Sequence, residues 1–204
     1  MTWVYNLRHM RLDDIPQVLA IDEISFTSPW SESTYRYEVN HRDTSHMVIL
    51  EGHDTDSASS RGLRGVVGRL WKSSPPPVIV GYGGCWLIAG EAHISTIAVH
   101  PDFRGRGLGE LLLASMLQRA LHLNGEYSVL EVRAGNTTAQ ALYRKYEYEI
   151  VGTRRGYYRD DGEDALLMEV RPLDKAYQQR LNERIAALSK RIHYIDRFSN
   201  QLKP

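Results

Sequence analysis

Cysteine is almost missing: Cys85 is the only one in 204 residues, which excludes an intrachain disulfide and any metal cluster built on several thiolates. It lies in an apolar run, where a core thiol is the ordinary reading and a nucleophile the exceptional one. Long hydrophobic runs are missing as well. No stretch of about 18 apolar residues is present to span a bilayer, and Met1 to Arg8 lacks the apolar core of a signal segment. These absences make a reducing, cytoplasmic setting the expectation, with no membrane partner and no metal. Charge of one sign is the third thing lacking. Twenty-five Lys and Arg balance 25 Asp and Glu, so no global field points to a polyanion, and nucleic-acid binding by the core is not expected. The balance is uneven along the chain. Between Leu173 and Pro204 there are seven Lys or Arg and three Asp or Glu, leaving +4 in this tail and −4 in the rest.

What is present begins with a 42% hydrophobic content, enough for one cored domain with a modest extension. The organising stretch runs from His93 to Gly109. Ile94, Ile97, Ala98 and Val99 read as a strand, Pro101-Asp102 breaks it, and Leu108, Leu111, Leu112, Ser115, Met116 and Ala120 recur at helical spacing. The period switches at Gly105, Gly107 and Gly109. A helix start carries unpaired N–H groups and partial positive charge, and glycines remove the Cβ atoms that would hold an anion away. Arg104 and Arg106 add two cations. The bland alternative is a helix-capping turn that binds nothing. No Lys-Ser or Lys-Thr follows the last glycine, and Gly105-x-Gly107-x-Gly109 is not G-x-G-x-x-G, so neither a P-loop nor a dinucleotide fingerprint is indicated.

Along the chain, Val4 to Met10 reads as a strand, Leu12-Asp13-Asp14 opens an amphipathic helix, and Ser31 with Thr34 begins a second short one through Val39. His46 to Glu51 is a strand. Residues 52–77 depart from a compact plan: a polar loop from Gly52 to Gly62, a short strand over Leu63–Trp71 and a stiff stop at Ser73–Pro77, either functional or disordered. Val78–Ala89 and Ala92–Val99 read as a hairpin turning at Gly90-Glu91. A helix over 107–123 ends at Asn124-Gly125, followed by a strand Tyr127–Val132, a helix Thr137–Tyr146, a strand from Tyr148 and a last strand Ala165–Val170. No internal repeat is visible. The order predicts an α/β fold, a mixed sheet with helices on both faces.

A second informative stretch is Leu130 to Tyr143. Glu131 lies inside an apolar strand, where a carboxylate is costly unless paired or given work; an edge-strand Glu facing water is the alternative. Asn136 or Thr137 caps the next helix, and Thr137 with Gln140 fits a capping box. Ala139, Leu142, Tyr143 and Tyr146 share one face, which makes Tyr143 a core aromatic with its hydroxyl at the rim.

Arg104-x-x-Gly107-x-Gly109 resembles the pyrophosphate-binding motif Q/R-x-x-G-x-G/A of the GNAT family of acetyl-coenzyme A dependent N-acetyltransferases. The resemblance extends to the RimI subfamily, which modifies the N-terminal alanine of a small-subunit ribosomal protein. It is carried by Phe26-Thr-Ser-Pro-Trp30-Ser31, Ile97-Ala-Val-His-Pro101, Arg104 to Gly109, Leu130-Glu-Val-Arg133 with Asn136, Ala141-Leu-Tyr143, Arg155-Gly-Tyr-Tyr158 and Asp164-Ala-Leu-Leu-Met168, in the family's order over most of residues 4–172. It implies a GNAT fold, mostly antiparallel, over residues 1–172, with acetyl-coenzyme A as cosubstrate. Backbone groups of Ile97, Ala98 and Val99 would hold the pantetheine arm. Arg104, Gly105, Arg106, Gly107, Leu108, Gly109 and Glu110 would hold the pyrophosphate, and Asn136 would lie near the thioester end. Glu131 matches the general base and Tyr143 the general acid, with an oxyanion donor expected from a backbone N–H near Ala98 or Val99. Trp30, Tyr157 and Tyr158 would border the acceptor groove, although plain strand aromatics explain the two tyrosines equally.

The mechanism needs a neutral amine. An α-amino group, with pKa near 8, is roughly a tenth neutral at pH 7, and a lysine amine far less. Proton transfer to an unperturbed Glu131 would be uphill, so either its pKa is raised or a water relays the proton. Asp160, Asp161, Glu163 and Asp164 could attract a basic peptide or form a solvated turn. Three departures stand out. Glu147-Tyr148 replaces the usual Gly-Phe, and the 52–77 insert and the 173–204 tail lie outside the pattern. In the tail, Leu181, Ile185, Leu188, Ile192, Ile195 and Leu202 predict one amphipathic helix, packed on the domain or on a partner, the +4 charge suiting an acidic ribosomal surface. Alternatives to a protein N-terminus are a small amine or lysine acceptor, or a non-catalytic acyl-coenzyme A binding module.

Overall fold

The computed structural model describes residues 3–55 and 77–200. The short strand expected at Leu63–Trp71 and most of the predicted loop lie outside these residues. Among the described residues, eight strands form a single sheet in the order β6-β7-β5-β4-β3-β2-β1-β8. They are β1 (Trp3–His9), β2 (Ser45–Asp54), β3 (Val78–Ile88), β4 (Glu91–Val99), β5 (Tyr127–Arg133), β6 (Glu149–Arg154), β7 (Ala165–Val170) and β8 (Tyr194–Arg197). Two neighbouring pairs, β4 with β5 and β1 with β8, are parallel; the other five are antiparallel. The expected mixed sheet with helices on both faces is what the chain forms.

Alternation along the strands sorts side chains into two cores. Leu7, Val48, Leu50, Val80, Leu130 and Val132 meet α3 (Leu108–His122), α4 (Thr137–Lys145) and α5 (Lys175–Ser189) on one face. Met47, Ile49, Ile79, Tyr82 and Ala98 meet α1 (Ile15–Ser25) and α2 (Glu32–Asn40) on the other. The helix starts follow local chemistry: the Ser31 hydroxyl accepts from Thr34 N–H, Asn136 Oδ1 from Ala139 N–H, and Asp174 Oδ1 from Tyr177 N–H. Asn136 is therefore the cap of α4, not Thr137. Gln140 is not part of a capping box, because its Nε2 donates to the carbonyls of Arg133 and Ala134.

Three boundaries and one turn differ from those read in the sequence. Gly52 to Asp54, expected in the loop, continue β2 by pairing with Trp3 to Tyr5. The hairpin turns at Ala89-Gly90, both with positive φ, so Glu91 already belongs to β4. Glu147, where Gly-Phe was the usual pair, takes φ 68° and is held there by Arg180 and Arg184 of α5. The tail is not one helix. α5 stops at Ser189, whose hydroxyl bonds back to Ile185 C=O, and Tyr194 to Arg197 pair with Tyr5 to Arg8 as β8. The open edge of β1 offers backbone partners that a surface helix would not, and Tyr194-Ile195 suits a strand. Ile195, the last apolar member of the supposed seam among the described residues, is 51% exposed, whereas Leu181 and Leu188 are fully buried.

Candidate active site

The site begins where two neighbouring strands part. β4 and β5 pair only over Glu91–Ile94 and Tyr127–Leu130. An irregularity between Gly84 and Cys85 leaves Ser95 without a partner on β3, and beyond it β4 and β5 no longer pair with each other. Ser95, Thr96, Ile97 and Val99 are half-buried although β4 is an interior strand. A backbone edge thus opens in the middle of the sheet, and Ile97, Ala98 and Val99 lie along it.

β4 runs out into the glycine turn. Gly105 (φ 74°) and Gly107 (φ 81°) take left-handed conformations that a side chain would strain, and a Cβ on Gly105 would meet nothing within 4 Å. Gly107 is the N-cap of α3 and supplies no side-chain cap. The helix ladder starts with Leu111 N–H to Gly107 C=O at 3.0 Å, so the amides ahead of it face out of the first turn. The two arginines of the turn are tied locally. Arg104 Nε donates to Val99 C=O (3.0 Å) and its Nη2 to the Ser25 hydroxyl (3.2 Å); Arg106 Nη2 donates to Asp102 C=O (2.9 Å) over the Phe103 ring. Glu110, in the first turn, holds Lys145 and the Tyr146 hydroxyl on one oxygen and Arg191 on the other.

Glu131 lies on β5 where the split opens. β5 sits between β4 and β7, so the edge-strand explanation fails. The side chain is only 10% exposed, with His93 Nε2 at 2.7 Å from Oε2 and Arg154 Nη1 at 3.0 Å from Oε1. The His93 hydrogen bond holds the carboxyl below its ordinary pKa against the upward push of burial, with Arg154 helping. A raised pKa, one of the two routes considered above, is thereby overturned: in sequence Glu131 looks alone in an apolar strand, but the fold gives it two cationic or donor partners. Tyr143, on α4, packs half-buried on the opposite face against Tyr148, and burial pushes its phenol up to about 12, so it stays a protonated donor. Its placement as a core aromatic and as a proton donor are compatible.

The groove side is connected to Glu131 by aromatic contacts. Trp30 stacks on Trp86 at 6.3 Å, and Trp86 meets His93 edge-on at 5.3 Å. The Trp30 backbone N–H is fixed by Asp22 (2.6 Å), a buried carboxylate that also accepts from the Tyr82 hydroxyl. Tyr157 and Tyr158 pack edge to face at 5.2 Å, under Arg154 and Arg133 respectively. The acidic turn is not a free attractor. Asp160, Asp161 and Glu163 bind Arg133, Asp160 also reaches the Thr27 hydroxyl, and Asp164 accepts from Gly156 N–H. His93, Trp86 and Asp22 are functional candidates that motif reading passed over, and Arg133 stands within a motif that gives it no role. For His93 no local signal existed, since its place on the same sheet face as Glu131 depends on the pairing of β4 with β5.

A sheet parted between two parallel strands, with the unpaired amides of a helix start at one end and a carboxylate and a phenol on its two sides, marks an α/β protein with a cleft running between strands. A model of the acetyltransferase (GNAT) family matches residues 15–148, and the chain belongs to that family and is an acetyltransferase. It is 34% identical over 166 residues to a Bacillus subtilis putative [ribosomal protein bS18]-alanine N-acetyltransferase, covering 80% of this chain and 93% of the relative. An N-alpha-acetyltransferase of Saccharolobus solfataricus is 31% identical over 173 residues, covering 83% and 93%. In three dimensions the chain is similar to the Escherichia coli ribosomal-protein-S18-alanine N-acetyltransferase, with a TM-score of 0.64 and 24% identity over 82% of this chain and 94% of that one.

Proposed function

We propose that this chain transfers an acetyl group from acetyl-coenzyme A to the α-amine of a protein N-terminus, with the N-terminal alanine of a small-subunit ribosomal protein as the acceptor. The observation that carries the reading is Glu131, held as a carboxylate by His93 and Arg154 beside the parted strands and linked through Trp86 to the Trp30 loop. The names of the Bacillus and Saccharolobus relatives support the acceptor class.

The residues fit the coenzyme. Gly105 leaves open space where a phosphate would approach, and the amides from Gly105 to Glu110 suit its pyrophosphate. The backbone edge of Ile97, Ala98 and Val99 suits the pantetheine arm. Asn136 spends Oδ1 on capping α4, so its side-chain NH₂ is the group it would turn to the ligand. Acetyl-coenzyme A, when bound, supplies an activated acyl carbonyl and a thiol leaving group. The chain's own work is proton handling and orientation. Direct transfer from an α-amine to an ordinary carboxyl is uphill by about 5 kcal/mol, and the lowered pKa of Glu131 makes it more so. Glu131 therefore orients a water through which the proton of the attacking amine passes to solvent, and stabilises the cation that forms on nitrogen in the meantime. Tyr143 protonates the departing sulfur. Trp30, Tyr157 and Tyr158 border the entering peptide.

The test is a panel read by thiol release and product mass. A peptide beginning with alanine should gain one acetyl group at its α-amine; the same peptide blocked there, but carrying an internal lysine, should gain none. Acetylation of the lysine or of a small polyamine in preference to the α-amine would overturn the acceptor assignment, and coenzyme binding without transfer to any arm would leave a binding module.

A further inference from the structure

The C-terminal segment is placed where it touches the glycine turn. α5 ends in a tight turn in which the N–H groups of Arg191 and Ile192 both donate to Leu188 C=O at 2.9 Å. The next residues lock onto β1, with Tyr5 N–H donating to His193 C=O at 2.9 Å. Between these two anchors Ile192 is 6% exposed, and its Cδ1 would lie 3.1 Å from a Cβ built on Gly107. Its neighbour Arg191 reaches Glu110 in the first turn of α3 at 3.5 Å, with its side chain 60% exposed.

That contact is long for a charge-assisted hydrogen bond, and an exposed pair of this kind holds its partners weakly. Arg104 is held by Val99 C=O and the Ser25 hydroxyl and Arg106 by Asp102 C=O, whereas Arg191 rests on Glu110 alone at 3.5 Å, beside the closer Lys145–Glu110 pair. An uncompensated Glu110 would repel an arriving phosphate. The 3′-phosphate, a monoester carrying more charge than one carboxylate, or the two charges of the pyrophosphate together, would draw the guanidinium off it, and the fork geometry of arginine suits two phosphate oxygens.

We propose that the C-terminal segment forms one wall of the coenzyme site and that Arg191, swinging from Glu110, binds a phosphate of the coenzyme. The proposal rests on the coenzyme reading above and deepens it: the tail, which lies beyond the stretch matched by the family, is part of the cofactor site rather than an appendage. Binding is then coupled to docking of the tail, because both act on the same turn.

The experiment is calorimetric titration of the full chain with coenzyme A and with dephospho-coenzyme A, which lacks the 3′-phosphate, for the wild type and for Arg191→Ala and Arg191→Lys. Arg191→Ala should weaken coenzyme A about tenfold, with Arg191→Lys recovering part of the loss, while the melting temperature of the free protein stays within about a degree, since a surface pair is removed. If Arg191→Ala leaves dephospho-coenzyme A binding unchanged, the contact is to the 3′-phosphate; if both ligands weaken alike, it is to the pyrophosphate. Coenzyme A binding within twofold of wild type in Arg191→Ala overturns the proposal. Failure of the wild type itself to bind would instead overturn the coenzyme reading.

Discussion

Glu131 shows how much a residue's surroundings decide. A carboxylate between Leu130 and Val132 is costly in isolation, but with His93 and Arg154 bonded to its two oxygens it stays ionised at neutral pH. Glu131→Gln keeps the shape and removes the charge, so turnover should fall about 100-fold or more while coenzyme affinity, measured by titration, changes little. Tyr143→Phe should slow the step that releases the thiol and leave peptide binding intact. His93→Ala tests the pairing itself. The imidazole hydrogen bond is the largest influence lowering the Glu131 pKa, so removing it lets burial push that pKa upward. The acid limb of the kcat/KM profile should then move to higher pH; an unmoved limb would show that His93 does not set the charge of Glu131.

At the scale of elements, two of the three departures of this sequence from its family, Glu147 and the C-terminal extension, are physically joined. Glu147 occupies a left-handed position, where a non-glycine residue costs about 1 kcal/mol or more, and Arg180 and Arg184 of α5 offset this by gripping its carboxylate. The Arg180 hydrogen bond, with Arg184 adding to it, lowers the Glu147 pKa to about 2. Glu147→Ala keeps the strained backbone and loses both arginines. Thermal denaturation should show about 1–2 kcal/mol of destabilisation after solvent screening, a drop of a few degrees. The turn that would have signalled this coupling in the sequence is visible only as a missing glycine. Its partners lie more than 30 residues away.

At the scale of the whole molecule, the sequence specified most of the sheet and misread its far edge. β-branched runs, caps and glycine turns located seven strands and the helices between them, because those signals are local. β8 was hidden because Ile192 and Ile195 continue a helical spacing, and only the unpaired edge of β1, a property of the folded sheet, selects the extended form. The split between β4 and β5 was equally illegible, since nothing in either strand announces where pairing stops. Glu131, Tyr143 and the glycine turn stand out in the sequence, whereas His93, Trp86 and Asp22 are brought to them only by the fold. The assembled core also carries an acid-labile feature. Burial first, then the charge of Arg119, lowers His46 to about 4; burial, then Arg119 and Arg42, lowers His9 to about 4, with Asp196 opposing. Both are neutral in the folded chain at pH 7, and their pKa values are depressed relative to the unfolded state. Stability should therefore be full above about pH 6.5 and fall as pH drops toward 4, a fully expressed shift at His46 being worth about 3 kcal/mol. The Glu147 contribution is lost in turn between about 4.5 and 2. Urea denaturation across this range should show the first decline, and His46→Gln should reduce its slope by about half; an unchanged slope would place the acid sensitivity elsewhere.

On the proposed function, the parted strands hold a thioester between a carboxylate on one face and a phenol on the other. A crystal structure with acetyl-coenzyme A bound tests it most directly. The account predicts the pyrophosphate at the amides of Gly105 to Glu110, the pantetheine arm along Ile97 to Val99, and the sulfur within reach of the Tyr143 hydroxyl, with Glu131 one water away from the acyl carbon's open face. A coenzyme bound outside the split, or a sulfur far from both side chains, would contradict it.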